Sequence, residues 1–313
     1  MKIQSRHGAV LAGLLLMQGP AYASCGAAVC AINTDWGQGA PQQPGFAFDL
    51  RYEFINQDQL RNGSNKTSNG AGEALEQRTI NRNLTGTLEY TLNANWGVAF
   101  SAPVVSRDHT HILNDTQQQE SWQYAALGDV RITGRYQPSA IAFQNLDYGV
   151  KFGAKLPTGA TDIVNASGTQ AERSLQPGTG STDILLGAYM HRVLPGASGA
   201  WFVQGMWQHA VASYNQFTPG DQLTIDLGLN YRLSDKWGTL LQLNMLHKGR
   251  DMGAHAEPDL SGGRYVFLSP GLSYALGPNS QVYGFIQKPL YQYVNGVQLT
   301  ADWTAVAGLR HRF

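Results

Sequence analysis

The chain has 313 residues, of which only 14% are charged, whereas soluble domains carry about 25% charged residues. Basic and acidic residues number 22 each, and this balance argues against a nucleic-acid-binding surface. The sequence has no apolar run of 18 or more residues, so it offers no transmembrane helix.

The N-terminus has the features of a secretory signal peptide. Lys2 and Arg6 give a positive start, residues 9–17 form a short apolar stretch, and residues 21–23 read Ala-Tyr-Ala, a typical cleavage site. We therefore predict a signal peptide over residues 1–23. The exported chain would hold 20 basic and 22 acidic residues, a net charge of −2, because the leader contains two basic and no acidic residues.

A short polar segment, residues 24–43, follows the leader and contains both cysteines, Cys25 and Cys30. In an oxidising periplasm this pair predicts a disulfide. A metal or redox role for the C-x4-C spacing is the alternative, although two ligands make a poor metal site. A lipid anchor on Cys25 is a further alternative, but Tyr22 stands where a lipobox normally has leucine.

From residue 44 to residue 313 apolar and polar residues alternate, as in Phe46-Ala47-Phe48-Asp49-Leu50-Arg51. A period of two predicts strands with one apolar and one polar face. Twelve such segments can be drawn: 44–55, 80–92, 95–106, 125–137, 146–157, 181–193, 199–213, 221–233, 236–250, 262–276, 279–290 and 299–313.

The connections between these segments alternate in length. Tight turns at 93–94, 195–196, 234–235 and 277–278 occur at every second junction, whereas 56–79, 107–124 and 158–180 are long polar loops. Short periplasmic turns and long outer loops are typical of outer-membrane barrels. The 138–145 connection is long for a periplasmic turn.

These features predict an all-β fold, a transmembrane antiparallel barrel of about twelve strands in the outer membrane of a Gram-negative bacterium. A secreted β-sandwich is the alternative, but its strands average only about five or six residues. Aromatic residues near strand ends predict girdles in contact with lipid at both interfaces. They are Tyr52, Tyr90, Trp96, Trp122, Tyr124, Trp201, Trp207, Tyr231, Trp237, Tyr265, Tyr274, Tyr291, Tyr293 and Trp303.

The same parity assigns charged residues of both signs to the lumen. The predicted lumen residues are Asp49, Arg51, Glu53, Glu89, Asp129, Arg131, Arg135, Lys151, Lys155, Asp183, Asp226, Arg232, Asp302 and Arg310, with His191 beside them. Mixed charge predicts either paired side chains that fill the barrel or a narrow channel without strong ion selectivity.

Histidines near the predicted outer rim suggest a metal site. His109 and His111 form an H-x-H pair, which places both rings on one face of a strand. His247 and His255 are predicted at the same rim. Solvated loop residues are the alternative reading, and the sequence leaves open whether the two groups meet.

We predict no enzymatic activity and no cofactor. The sequence has no Gly-x-Ser-x-Gly and no H-E-x-x-H motif, and Asn62-Gly63-Ser64-Asn65 lacks the histidine of the outer-membrane phospholipase motif. A hydrolase, or an adhesive or structural barrel acting through its loops, remains the alternative.

Three stretches carry a resemblance to a known family: Leu127-Gly128-Asp129 with the strand that follows, Lys155-Leu156-Pro157-Thr158-Gly159, and Gly178-Thr179-Gly180-Ser181-Thr182-Asp183. Their order resembles the outer-membrane family of MetA-pathway phenol-degradation transporters. The last residues, ending in Phe313, are similar to the C-terminal signature read by the barrel-assembly machinery, which the resemblance implies as a partner.

This resemblance and the mixed-charge lumen together predict passive passage of a small hydrophobic or aromatic solute. Metal-linked transport or binding through the rim histidines is the alternative function.

Overall fold

A computed structural model describes residues 32–33, 44–70, 74–138 and 146–313. The predicted signal peptide, the Cys25–Cys30 pair and nearly all of the 138–145 connection lie outside these residues. Within the described part, no helix is both long and apolar enough to span a bilayer.

The described chain is built from thirteen strands. They are β1 (Gly45–Gly63), β2 (Asn65–Lys66), β3 (Ala74–Thr91), β4 (Trp96–Leu113), β5 (Gln119–Leu127), β6 (Val130–Tyr136), β7 (Leu146–Leu156), β8 (Ser181–Val193), β9 (Gly199–Ser213), β10 (Gln222–Arg232), β11 (Trp237–Lys248), β12 (Gly263–Ala275) and β13 (Ser280–Arg312).

Eleven of these strands close into one antiparallel ring, with β2 and β5 off its path. The 33-residue β13 passes through the wall twice. It pairs with β12 as far as Val294, turns at Gly296, where φ is +61°, and then pairs with β1. Since β5 and β6 lie end to end along β4, twelve extended passes form the wall, as predicted.

The two faces of the wall differ as the alternation predicts. On β1, Phe46 and Tyr52 point outward and are 47% and 41% exposed, whereas Asp49 and Glu53 point inward and are 5% exposed. Exposed outward side chains on the other strands are likewise mainly apolar. A closed barrel with an apolar outer face satisfies every backbone hydrogen bond within lipid.

The first strands are longer than predicted. β1 runs to Gly63 and β3 starts at Ala74, so most of the predicted 56–79 loop is strand. Similarly, β4 and β5 occupy most of the predicted 107–124 loop. Both faces are polar in these outer parts, for example at Asp58 and Gln59. The period-two signal therefore disappears although the hydrogen-bond ladder continues.

Both ends of the barrel chain meet at the rim that carries the short turns. The Phe313 amide donates to the Phe46 carbonyl at 2.9 Å, and a tight turn joins Thr91 to Trp96 at the same level. This rim is the periplasmic one in the predicted orientation. The long 157–180 connection, named the 157–180 loop below, lies at the opposite, outer rim.

Three of the predicted girdle residues are not in the girdle. Trp122 and Tyr265 are 3% and 4% exposed and lie on the inward faces of β5 and β12. Tyr124 has the same parity as Trp122, packs against the buried Trp122 and Leu175, and donates to the Leu175 carbonyl. The prediction was wrong for them because residues at the end of a strand face lipid only if their parity is outward.

Candidate functional site: the barrel lumen

A buried lysine forms the centre of the charged side of the lumen. The Lys155 ammonium on β7 lies 3.0 Å from Asp129 Oδ2 and 3.2 Å from Asp183 Oδ2. It also donates to the Ser181 carbonyl at 3.0 Å and to the Thr179 hydroxyl. The Lys155 and Asp183 side chains are 3% and 1% exposed. The network is therefore enclosed by protein.

The three motifs of the family resemblance meet at this lysine. Asp129 lies in the break between β5 and β6 and accepts from the amides of Gly159 and Thr179, at 3.0 and 2.9 Å. Thr158 bridges the same break: its Oγ1 accepts from the Val130 amide and donates to the Gly128 carbonyl, both at 2.9 Å. The motifs thus fasten both ends of the 157–180 loop to the barrel wall.

Gly159 and Gly178 allow the two ends of the 157–180 loop to approach each other closely. A Cβ added at Gly178 would lie 2.4 Å from the Gly159 carbonyl oxygen and 2.8 Å from Asp129 Oδ1. We therefore expect Gly178→Ala to destabilise the folded barrel by about 1–3 kcal/mol through overpacking. Urea unfolding in lipid vesicles measures the change. Gly277→Ala is the matched control, because a Cβ there meets nothing within 4 Å, and an equal loss in both variants would contradict the steric account.

The 157–180 loop packs against the inner face of the wall at the outer mouth. Trp122 is buried with Ala171 and Leu175, and its indole donates to the Thr169 carbonyl at 3.0 Å. The Arg173 guanidinium lies 4.9 Å from the Phe217 ring. Burial lowers the pKa of Arg173 below its usual value, and the charge of Asp129 opposes that shift. The loop therefore narrows the outer mouth.

Most other predicted lumen residues also face inward, in smaller paired groups. Both oxygens of Asp49 accept from the Tyr283 hydroxyl at 3.0 Å. Arg51 pairs with Glu53 at 3.0 Å. Five further inward charged residues each contact a polar partner: Glu89 with Arg310 at 2.6 Å, Arg131 with Gln208 at 3.2 Å, Lys151 with Gln204 at 2.8 Å, Arg135 with Gln137 at 3.1 Å and Asp226 with Asn244 at 2.8 Å.

Three predicted lumen residues lie apart from these groups. Arg232 is exposed at the end of β10. Asp302 forms an exposed ion pair with Lys66, at 3.1 Å. His191 is buried and lies 4.0 Å from Asp147. The mixed-charge lumen of the sequence prediction is therefore mostly a wall of paired groups rather than a ring of free charges.

Opposite the Lys155 network in the ring, the inner wall carries apolar and aromatic side chains that the sequence analysis missed. Tyr283 and Phe285 on β13 are buried with Ile55 and Leu240, and Tyr265 is stacked on Phe267 with ring centroids 5.9 Å apart. The sequence signal for them is the inward parity of Tyr265, Phe267, Tyr283 and Phe285 on β12 and β13. Of these four, only Tyr265 is among the predicted girdle residues, and the other three carried no prediction.

Two residues of the N-terminal segment lie inside the barrel. Ile32 is buried in the apolar cluster with Ile55 and Phe285. The Asn33 amide donates to Gln242 Oε1 at 3.1 Å, and Gln242 Nε2 donates to the Asn33 carbonyl at 2.7 Å. This part of the 24–43 segment therefore occupies lumen space.

The four predicted metal ligands do not come together. His109 and His111 lie side by side on the inner face of β4, with Glu76 of β3 beside them. His247 is exposed on the outer face of β11, and β6 to β10 separate it from β4 in the ring. His255 binds the Asn215 carbonyl in an exposed loop, at 2.8 Å. Among the described residues, Glu76, His109 and His111 are the one group of three close potential ligands.

The closed antiparallel ring, its outward apolar belt and its polar interior define a bacterial outer-membrane β-barrel. The chain therefore belongs in the outer membrane of a Gram-negative bacterium. No protein-family model and no curated protein matches its sequence, so the resemblance to the MetA-pathway family stays a prediction.

Solved structures with this fold include channels. The chain is similar to the COG4313 outer membrane channel from Pseudomonas putida F1, with a TM-score of 0.67 at 13% identity over 90% of this chain and 99% of that chain. The CymD monoaromatic hydrocarbon channel gives a TM-score of 0.45 at 11% identity, over 91% and 94% of the two chains. The P. putida toluene transporter TodX gives a TM-score of 0.46 at 9% identity, over 87% of this chain and 91% of that chain.

Proposed function

We propose that this barrel is a passive channel for a small hydrophobic or aromatic solute. The observation that carries the proposal is a lumen in which the charged network around Lys155, at β6 to β8, faces aromatic and aliphatic side chains of β11 to β13. A solute with an apolar body and a polar group could contact both walls as it passes. The fold likeness to the COG4313 outer membrane channel agrees with passage of a solute through the barrel.

A cleft in the apolar wall offers the place for such contacts. Its apolar lining includes Ile55, Tyr265, Phe267 and Leu299, and its polar lining consists of Gln57, Gln287, Gln292, Thr300 and Thr304. Sites for small molecules commonly combine apolar walls with placed polar groups. The aromatic pair Tyr265 and Phe267 would provide ring contacts, and the amides would orient a polar substituent.

The test compares two anions that share a head group. Liposomes containing the barrel are assayed for flux of benzenesulfonate and of ethanesulfonate, neither of which loses its charge near neutral pH. We expect benzenesulfonate to be favoured and Phe267→Ala to lower that preference about 2- to 10-fold, since a ring contact contributes about 0.5–1.5 kcal/mol.

The matched control is Phe100→Ala, because Phe100 is an outward, 45% exposed phenylalanine on β4. The control should leave the preference unchanged. Equal flux of the two anions through the unaltered barrel would refute a role of the apolar wall in selection.

The C-terminal Phe313 is 73% exposed beside the barrel end, which keeps it available to a partner. We propose it as the contact for the assembly machinery. Phe313→Ala should reduce the heat-modifiable, folded fraction in cells but leave refolding in detergent unchanged; unchanged assembly in cells would remove the proposal.

A further inference from the structure

The inner wall at the outer rim carries a cluster of metal-binding side chains that the proposed channel does not use. His109 and His111 project from the same face of β4, and Glu76 is the β3 residue paired with His111 in the ladder. All three side chains are buried; those of His109 and His111 are 0% and 3% exposed.

The distances fit a small transition-metal ion. His109 Nε2 lies 3.4 Å from Glu76 Oε2 and 3.4 Å from His111 Nδ1. His111 Nδ1 lies 3.7 Å from Glu76 Oε1. Ligand atoms about 2.0–2.1 Å from a tetrahedral zinc ion lie about 3.3–3.4 Å from one another. The His109 Nε2–His111 Nδ1 distance matches this spacing. The Glu76 carboxylate faces both nitrogens, one oxygen toward each, and one ligand atom from each of the three residues lies within 4.8 Å of the others.

The remaining nitrogen of each imidazole has an acceptor of its own. Thr79 Oγ1 lies 2.8 Å from His109 Nδ1, and Glu120 Oε2 lies 3.4 Å from His111 Nε2. Metal-bound histidines usually donate their second N–H to a carboxylate or another oxygen, which fixes the ring and the tautomer. Here both rings are held with the other nitrogen toward Glu76.

The surroundings also enclose the cluster. The Trp122 ring lies 5.7 Å from the His109 ring and 5.0 Å from the His111 ring. Trp122 itself is covered by Ala171 and Leu175 of the 157–180 loop. Two imidazoles with one carboxylate favour a zinc-class ion over magnesium or calcium, which prefer sites made of oxygen ligands.

We propose that Glu76, His109 and His111 bind one divalent transition-metal ion of the zinc class, with Thr79 and Glu120 as positioning residues. Its three protein ligands leave a fourth position for water or a solute group. The bound ion would join β3 to β4 beneath the 157–180 loop. The inference is independent of the proposed channel function, because no cleft residue is a ligand.

The experiment uses the full-length, untagged barrel in detergent, stripped with EDTA and titrated with Zn²⁺ alone. We expect one bound zinc per chain by elemental analysis. Co²⁺ should give intense visible bands of a four- or five-coordinate site. Thr79→Val should weaken binding by about 10-fold, within the 10- to 100-fold range of residues that orient ligands.

Removal of a metal ligand should lower the zinc affinity more than Thr79→Val does. Glu76→Gln and His109→Gln should each weaken zinc binding by more than about 100-fold, beyond the range of the orienting residues. Glu76→Gln preserves the size of the side chain, so it provides the test of ligand removal if His109→Gln does not fold. The matched control is His209→Gln, because His209 also lies beside a carboxylate, Asp221 at 2.7 Å, but is 43% exposed.

His209→Gln should leave stoichiometry and affinity unchanged. The proposal is overturned if the unaltered barrel binds no zinc, if Co²⁺ shows only the weak bands of the hydrated ion, or if Glu76→Gln binds zinc as tightly as the unaltered chain. Any of these results would identify the cluster as a hydrogen-bonded histidine pair of the wall.

Discussion

Replacement of Lys155 by methionine should destabilise the barrel by about 3–5 kcal/mol, the range for removal of one partner of a buried ion pair. The methionine would leave Asp129 and Asp183 buried without the ammonium that neutralises them. The amides of Gly159 and Thr179 would still donate to Asp129, and Ser181 and Gln208 would still donate to Asp183, so the loss is that of the charge rather than of every hydrogen bond. Urea unfolding of the barrel in lipid vesicles gives the free energy.

Lys66→Met is the control for this prediction. Lys66 also pairs with a carboxylate, Asp302 at 3.1 Å, but the two side chains are 54% and 47% exposed. An exposed pair contributes about 0–1 kcal/mol. A similar loss in both variants, or a negligible loss in Lys155→Met, would show that the buried network does not hold the 157–180 loop.

Deletion of residues 24–43, which include Ile32 and Asn33, should raise the permeability of the channel. Ile32 is buried against the apolar wall, and Asn33 exchanges two hydrogen bonds with Gln242. Liposome swelling with sugars of increasing size measures the rate of passage and the largest sugar that the barrel admits. We expect faster swelling and a larger size limit than for the full chain.

A point substitution tests the same contact without shortening the chain. Gln242→Leu removes the two hydrogen bonds to Asn33, each of which contributes about 0.5–1.5 kcal/mol. The population with the segment displaced should rise about 5- to 150-fold. Gln222→Leu is the matched control, because it makes the same substitution on the inner face of β10, away from Asn33. It should leave the swelling rate unchanged. Identical swelling of the full chain, the deletion and Gln242→Leu would show that the segment does not limit passage.

Strand alternation predicted the barrel because lipid and lumen impose opposite polarity on successive residues. Asp49 and Glu53 face inward as predicted, and Phe46 and Tyr52 face outward. The same rule failed at the outer parts of β1 and β4, where both faces are polar. The girdle prediction rested on position near strand ends, and it was wrong for Trp122, Tyr124 and Tyr265, whose parity places them inside.

The candidate sites were only partly predictable for a related reason. The H-x-H spacing identified His109 and His111, but Glu76 depends on the register between β3 and β4, which a β-bulge shifts between Glu76 and Arg78. The pairing of Lys155 with Asp129 and Asp183 joins three separate motifs, and sequence spacing does not define that geometry. The position of Asn33 beside Gln242 spans 209 residues and has no local signal.

Single-channel recording from the full-length barrel in planar bilayers tests the central proposal most directly. We expect discrete current steps that benzenesulfonate reduces reversibly and that ethanesulfonate at the same concentration leaves unchanged, because only the aromatic anion can contact the wall formed by Tyr265 and Phe267. Steps that respond equally to both anions would contradict selection by the aromatic wall. A folded barrel that gives no current, with or without residues 24–43, would contradict a channel.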